Sequence, residues 1–404
     1  MLGKYYKYYG PFCLLLAACT TPAPRLAVVP PSVPMAIPGV SPSLPAEPAP
    51  PSTPNPPLAV SKWEMLPDWQ TQDLISSWPA FLQSCRALKT RPGWQATCAH
   101  SEQLDARDNA VLRSFYEEWF TPYQVFNPDG STEGMITGYY EPRLYGSRVK
   151  TARFRYPLYT TPDDLLTVDM GDVYPQLKGL RLRGRVQGKR VVPYYSRADI
   201  NAGAGSVQGH ELFWVDNAVE LFFLQIQGSG RIELPDGKIV KVGYAEQNGH
   251  PYISIGKKLV EMGELKLEDA SMQGIKNWAE KNPARLDALL AQNPSYVFFR
   301  ELPEGLTAPL GALGVPLTGE YSLAVDPRTI PLGSPVFLAT TYPSDSAALN
   351  RLMMAQDTGG AIKGTVRADF FWGFGDTAGN QAGRMKQQGR LWVLLPKGAE
   401  PVLN

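Results

Sequence analysis

A mainly β chain with some helices is what this sequence predicts, and three patterns carry the prediction. Between Gly134 and Glu246, short aromatic and β-branched runs alternate with Gly and Pro, the pattern of a barrel or sandwich. Ahead of them, Phe81 to Lys89 and Ala110 to Phe120 place apolar residues at helical spacing, as amphipathic helices packed on a core would. The last third, Val315 to Leu395, returns to short strands with Gly and Pro turns and ends in the buried-strand run Arg390 to Leu395. At 404 residues, 44% hydrophobic and 19% charged, the chain has the composition of a globular protein with two or more domains.

Composition also narrows the partners. A net charge of +1 supplies no field to steer a polyanion, so no nucleic-acid partner is expected. His100, His210 and His250 are scattered, which speaks against a zinc site or a Ser-His-Asp triad; no metal and no organic cofactor is expected.

Lys4 and Lys7 precede the apolar run Phe12 to Cys19, far shorter than the roughly 20 residues a spanning helix needs, so it reads as a signal. From Pro22 to Leu58 the chain is almost all Pro, Ala, Ser and Val. Such a segment cannot build a core; the expectation is a disordered tether with polyproline character, on the order of 100 Å long when extended. Trp63 to Trp78 opens the folded region. Cys13 would leave with the signal, while Cys85 and Cys98 bracket a short polar loop that suits a disulfide in an oxidising compartment, two free buried thiols being the alternative.

Further strands are expected at Tyr156 to Thr160, Val191 to Tyr195, Glu211 to Val215, Leu221 to Ile226 and Lys238 to Val242, with a hairpin turn at Pro235-Asp236-Gly237-Lys238. On the strand reading, Gln225, Gln227 and Ser229 share one face. Ser254 to Met262, Ala270 to Lys281 and Pro283 to Gln292 read as helices, the last with Pro283 at its first position and Asn282 as cap. Strands resume at Val297.

The chemistry concentrates between Arg351 and Gly375. The apolar run Leu352 to Ala355 delivers Asp357 to a turn at Thr358-Gly359-Gly360, and the strand Val366 to Trp372 carries Asp369 among apolar neighbours. Burial raises the pKa of an acid, so Asp369 is a candidate general acid held partly protonated, with Asp357, nearer polar turn residues, ionised. The competing reading turns Asp369 to water or pairs it with Arg351, Lys363 or Arg367.

Three blocks, S-L-A-V-D-P-R-T-I-P-L-G-S-P-V-F-L from Ser322, A-Q-D-T-G-G-A-I-K-G from Ala355 and R-A-D-F-F-W-G from Arg367, resemble the three-aspartate domain of the membrane-bound lytic murein transglycosylase A family. The blocks T-G-Y-Y-E-P from Thr137, F-F-L-Q-I-Q-G-S-G from Phe222, Y-A-E-Q-N-G-H-P-Y-I-S-I-G-K from Tyr244 and N-P-S-Y-V-F-F from Asn293 extend the resemblance over most of the chain after residue 60.

The resemblance implies a double-psi β-barrel, discontinuous in sequence, with an inserted β-rich, barrel-like domain and a glycan-binding groove between them. Residues 1–19 would be a lipoprotein signal peptide, 20–59 the linker, 60–140 and 303–404 the two parts of the barrel, and 141–302 the insert. Leu16-Ala17-Ala18-Cys19 resembles a lipobox, with Cys19 acylated and Thr20 after it pointing to the outer membrane; an ordinary secretory signal is the alternative. The implied activity is non-hydrolytic cleavage of murein, with Asp369 as acid and then base and Asp357 in support. Asp326 would bond backbone N–H groups or join the site.

Tyr139, Tyr140 and Glu141 would face sugars or simply fill the core; Gln225, Gln227 and Ser229 would bind acetamido groups; Lys363 would touch substrate, tune Asp357 or lie exposed. The implied partners are peptidoglycan glycan strands, the outer membrane through the lipid anchor, and a cell-wall synthesis or hydrolysis complex. A hydrolytic muramidase or glucanase and a non-catalytic murein-binding lipoprotein are the competing functions.

Overall fold

Strands from both ends of the chain close on one another in the computed structural model, which describes residues 56–177, 180 and 182–399. In chain order the first part holds β1 (Leu58–Val60), α1 (Leu74–Leu88), α2 (Gln95–Ser101), α3 (Asn109–Trp119), β2 (Phe120–Val125) and β3 (Gly134–Glu141). The middle holds β4 (Arg143–Ser147), β5 (Tyr156–Tyr159), β6 (Leu166–Val168), β7 (Leu182–Gln187), β8 (Arg190–Pro193), α4 (Arg197–Asn201) and β9 (Glu211–Val215). It continues with α5 (Ala218–Gln227), β10 (Ser229–Glu233), β11 (Ile239–Gln247), α6 (Ile255–Glu261), α7 (Met272–Lys281), α8 (Leu286–Leu290) and β12 (Val297–Glu301). The last part holds β13 (Ser322–Val325), β14 (Pro335–Thr341), β15 (Ala348–Asp357), β16 (Ala368–Phe374), α9 (Gly375–Arg384) and β17 (Lys386–Pro396).

The first and last parts share one sheet, ordered β1-β2-β17-β14-β15-β13-β16-β3, and β17 also pairs with β3. That second pairing, Lys386 to Gly389 against Thr137 to Gly134, closes β17, β14, β15, β13, β16 and β3 into a ring. Alternation along β17 sends Leu391, Val393 and Leu395 inward with Val336, Leu338 and Met353, and Trp392 and Leu394 outward with Phe337, Leu352 and Met354. Leu74, Trp78, Phe81, Cys85 and Leu88 of α1 cover that outer layer. Burial on both faces is why these strands read as continuous apolar runs. Cys85 and Cys98 form a disulfide joining α1 to α2, worth about 3 kcal/mol for a loop this short in the chain-entropy model.

The linker boundary differs from the expectation. Leu58 is buried and pairs with Val125, so the last two residues of the expected linker already belong to an edge strand that follows Pro57.

The middle part forms a six-stranded sheet, β12-β11-β10-β4-β9-β5, and a three-stranded one, β6-β7-β8. The run Leu221 to Ile226, read as a strand, lies in α5. The Asn217 side chain caps the helix by accepting from the N–H groups of Val219 and Glu220, and Gly228, at φ 79, ends it. Its residues are apolar on most sides because Leu221 and Leu224 face the sheet while Phe222 and Phe223 face the helical layer of Leu259, Trp278 and Leu290. Pro283 does open a helical turn, but Asn282 does not cap it; its amide donates to the Trp278 carbonyl instead.

Candidate active site

Asp357 and Asp369 sit in different strands yet share one neighbour. Ala324 of β13 is in register with Asp357 of β15 on one side and with Asp369 of β16 on the other, and Asp369 is in register with Thr137 of β3. Laterally paired residues point to the same face, so Asp357, Ala324, Asp369 and Thr137 form a row, the two acids two strand spacings apart, or about 9.6 Å between backbones. Ala324 lies between them and adds only a methyl group. The row depends on a bulge: pairing slips between Leu323–Ala355 and Ala324–Asp357, leaving Gln356 as the extra residue. Gln356 is buried and tied to the Ser322 and Ser84 hydroxyls and the Ala80 carbonyl, which anchors the bulge under α1.

Asp357 accepts on both oxygens. Oδ1 takes the N–H groups of Ala312 (3.0 Å) and Thr358 (2.9 Å), and Oδ2 takes the Tyr139 hydroxyl (3.0 Å). The loop bringing Ala312 runs so close that a Cβ at Gly311 would fall 2.4 Å from the Gln356 carbonyl oxygen, which requires glycine there. Asp369 accepts the Thr137 hydroxyl on Oδ1 at 2.6 Å, and among the described residues no hydrogen bond reaches Oδ2. Arg367 does not pair directly with Asp369; its Nη2 donates to the Thr137 oxygen at 2.8 Å. Arg351 pairs with Glu320, and Lys363 is exposed on the loop between the acids.

Burial dominates the electrostatics of both acids. It pushes Asp357 up to about 6, against the pull of its two backbone donors and Tyr139, with the charge of Asp369 adding to the rise. It also raises Asp369, against the Thr137 hydroxyl and the nearby Arg367 cation. The three donors only partly offset the burial of Asp357, so its carboxyl is raised yet still mostly ionised at neutral pH. Burial and the two carboxylates keep the Tyr139 phenol protonated, as its donor role requires.

Asp326 is 2% exposed and accepts from the Arg328 guanidinium, the Arg328 N–H and the Gly364 N–H. Burial acts to raise it, but these donors bring it down to about 2. It therefore pins the loop between the other two aspartates to the turn after β13.

Several expected contacts lie elsewhere. Tyr139 packs its ring on Phe371, centroids 5.0 Å apart. Tyr140 is no sugar platform: its ring is in the barrel core, and burial raises its phenol to about 12. Glu141 is 1% exposed and paired with Arg231 at 2.7 Å, so it joins β3 to β10 and is not open to sugar hydroxyls. Gln225 faces inward from α5 to Arg197, while Gln227, at the end of the same helix, accepts the Tyr140 N–H at 3.0 Å; the two do not alternate on a strand with Ser229, which begins β10. Thr137, Ala324 and Ala312 were not singled out by the sequence. Thr137 lies in the T-G-Y-Y-E-P block, but its partner is 232 residues away.

The described residues contain no helix long and apolar enough to cross a membrane, and Cys19 lies outside them. Family models match twice, the MltA specific insert domain over residues 135–300 and the 3D domain over 321–395. The chain is 36% identical over 309 residues to membrane-bound lytic murein transglycosylase A of Escherichia coli K12, covering 75% of this chain and 76% of that protein. The crystal structure of MltA from Neisseria gonorrhoeae, monoclinic form, aligns with a TM-score of 0.74 at 44% identity, over 86% of this chain and 94% of that one. The structure of E. coli MltA with bound chitohexaose aligns with a TM-score of 0.62 at 31% identity, over 79% of this chain and 90% of that one. On this likeness in sequence and architecture, the chain belongs to the membrane-bound lytic murein transglycosylase A family of enzymes.

Proposed function

We propose that this enzyme cleaves the β-1,4 bond between N-acetylmuramic acid and N-acetylglucosamine without water and leaves a 1,6-anhydromuramyl end, with Asp369 as the acid and then the base. The observation that carries the assignment is the unequal engagement of the two carboxylates. Asp357 has both oxygens occupied by donors, whereas Asp369 has Oδ1 occupied and Oδ2 open. A carboxylic acid that delivers its proton needs an oxygen free to reach the substrate.

In this reading the proton sits on Oδ2 of Asp369, because Oδ1 accepts the Thr137 hydroxyl. It passes to the glycosidic oxygen as the C1–O bond breaks and positive charge grows on the muramyl ring. The Asp357 carboxylate stabilises that charge from the far side of Ala324. Asp369, now ionised, takes the proton of the C6 hydroxyl as O6 bonds to C1. The proton given is recovered, and one carboxyl serves both steps, unlike the two-carboxylate arrangement usual in glycoside hydrolysis.

The chitohexaose bound by the E. coli relative supports a β-linked amino-sugar strand as substrate. Gln227, Ser229 and Lys363 would contact it; Gln227 and Ser229 lie where α5 and β10 meet β3, and Lys363 is exposed beside the acids. The six-strand ring supports a double-psi barrel assembled from residues 60–140 and 303–404 around an insert at 141–302. Acylation at Cys19 would hold the enzyme on the periplasmic face of the outer membrane, where a cell-wall synthesis or hydrolysis complex would meet it; the word membrane-bound in the relatives' names supports attachment. The test is Asp369→Asn: cleavage of murein should fall 10²- to 10⁴-fold, on the order expected for one acid or base role, with glycan binding kept. Retained turnover would reject the assignment.

A further inference from the structure

A cavity of about 500 Å³ opens in the middle part of the chain, walled by β5, α4, α5 and α8 and the segment around Tyr296. At its base lies Arg197, 4% exposed. Its guanidinium donates to the carbonyls of Asn293 and Ser295 and to Gln225 Oε1, and lies 4.7 Å from the Phe222 ring centre and 5.1 Å from that of Tyr296. No carboxylate pairs with it among the described residues; the ionisable groups acting on it are the phenols of Tyr296 and Tyr252, neutral at ordinary pH. A buried cation without a counter-ion is costly and stays receptive to an anion.

Gln225, 5% exposed, accepts one of these Arg197 N–H groups, and its amide lies against the Tyr296 phenol. A guanidinium carries five N–H groups, of which three are used here, so Arg197 keeps spare donors. The walls are aromatic and methyl-sized, Tyr159, Phe222, Ala218 and Ala291 among them, and Arg155 and Asp287 are exposed at the rim. This volume is far more than an inorganic anion fills and falls in the range of small organic ligands.

We propose that this cavity binds the carboxylate end of a short peptide, of the kind that branches from murein glycan, with Arg197 gripping the carboxylate and the small apolar walls taking its side chains. The proposed glycan cleavage enters only as the source of the peptide. Through α5 the cavity is tied to the candidate active site: Gln225 faces the one, and Gln227 holds the Tyr140 N–H beside Tyr139 in the other.

The test is calorimetric titration of the whole enzyme with N-acetyl-D-alanyl-D-alanine, its C-terminal amide and inorganic phosphate. Saturable binding of the acid, at least tenfold weaker binding of the amide, and none of phosphate are expected. Ala218→Phe and Ala291→Phe, which fill the cavity without touching Arg197, should abolish binding while each keeps cooperative unfolding and cleaves peptide-free glycan at the normal rate. No binding of the acid, equal binding of acid and amide, or binding unaffected in both filled variants would overturn the proposal. The acid–amide comparison on the unaltered enzyme decides even if a variant does not fold. Peptide binding by an enzyme that leaves murein uncut would keep this site and remove the glycan-cleaving reading.

Discussion

The Thr137 hydroxyl donates to Asp369 Oδ1 across 2.6 Å while its oxygen receives an N–H from Arg367 at 2.8 Å. A guanidinium only donates, so the hydroxyl proton can point only to the carboxyl. The acid is thereby oriented from behind, with its other oxygen left toward the open face.

Thr137→Val keeps the shape of the side chain and removes this donor. One hydrogen bond of about 1–1.5 kcal/mol corresponds to about a tenfold loss in kcat, with KM little changed. Because the hydroxyl lowers the Asp369 pKa, its loss should move the alkaline limb of the pH–rate profile to higher pH. Steady-state kinetics across pH would read both effects; an unmoved limb would detach Thr137 from the acid.

Asp357→Asn should act in the opposite direction on pH. Like charges two strand spacings apart oppose each other's ionisation, so removing the Asp357 charge should lower the pKa of Asp369. The alkaline limb should move to lower pH, and activity at neutral pH should fall with it. A variant dead at every pH, beside an active Asp369→Asn, would mean that the roles of the two carboxylates are reversed.

Asp326→Asn tests a structural acid. Its folded pKa, about 2, lies below the ordinary unfolded value near 3.9, so its contribution is present above about pH 4 and is lost as pH falls through about 2. Denaturant unfolding should show about 2 kcal/mol of destabilisation at pH 7 and a shrinking difference toward pH 2. A pH-independent difference would assign the loss to packing instead of charge.

A chain beginning at Ser61 lacks β1, and with it the buried Leu58 against Val125. Compared with one beginning at Pro56, it should lose about 1.5–3 kcal/mol of stability, the value of one buried Leu, and retain its turnover. Equal unfolding midpoints would show that β1 contributes nothing to the core.

Much of this architecture was legible in the sequence because it is local. The strand that delivers Asp357, the glycine turn after it and the strand that holds Asp369 follow from apolar runs and turn residues within a single stretch. The row of Asp357, Ala324, Asp369 and Thr137 was not, because it depends on lateral pairing of strands far apart in the chain and on a bulge at Gln356. Leu221 to Ile226 misled for a different reason. A helix covered by a sheet on one side and by helices on the other loses its polar stripe, and only the Asn217 cap and Gly228 distinguish it from a buried strand. The same error put Gln225 and Gln227 on one strand face, when a helix separates them toward Arg197 and Tyr140.

If Asp369 gives its proton to the leaving oxygen and recovers one from O6, no water is consumed. Digestion of murein in oxygen-18 water, followed by mass spectrometry of the newly formed muramyl ends, reads this directly. The expected products are 1,6-anhydro ends one water lighter than reducing ends, free of the heavy isotope, and formed 10²- to 10⁴-fold more slowly by Asp369→Asn. Reducing ends carrying oxygen-18 would contradict it and identify a hydrolase.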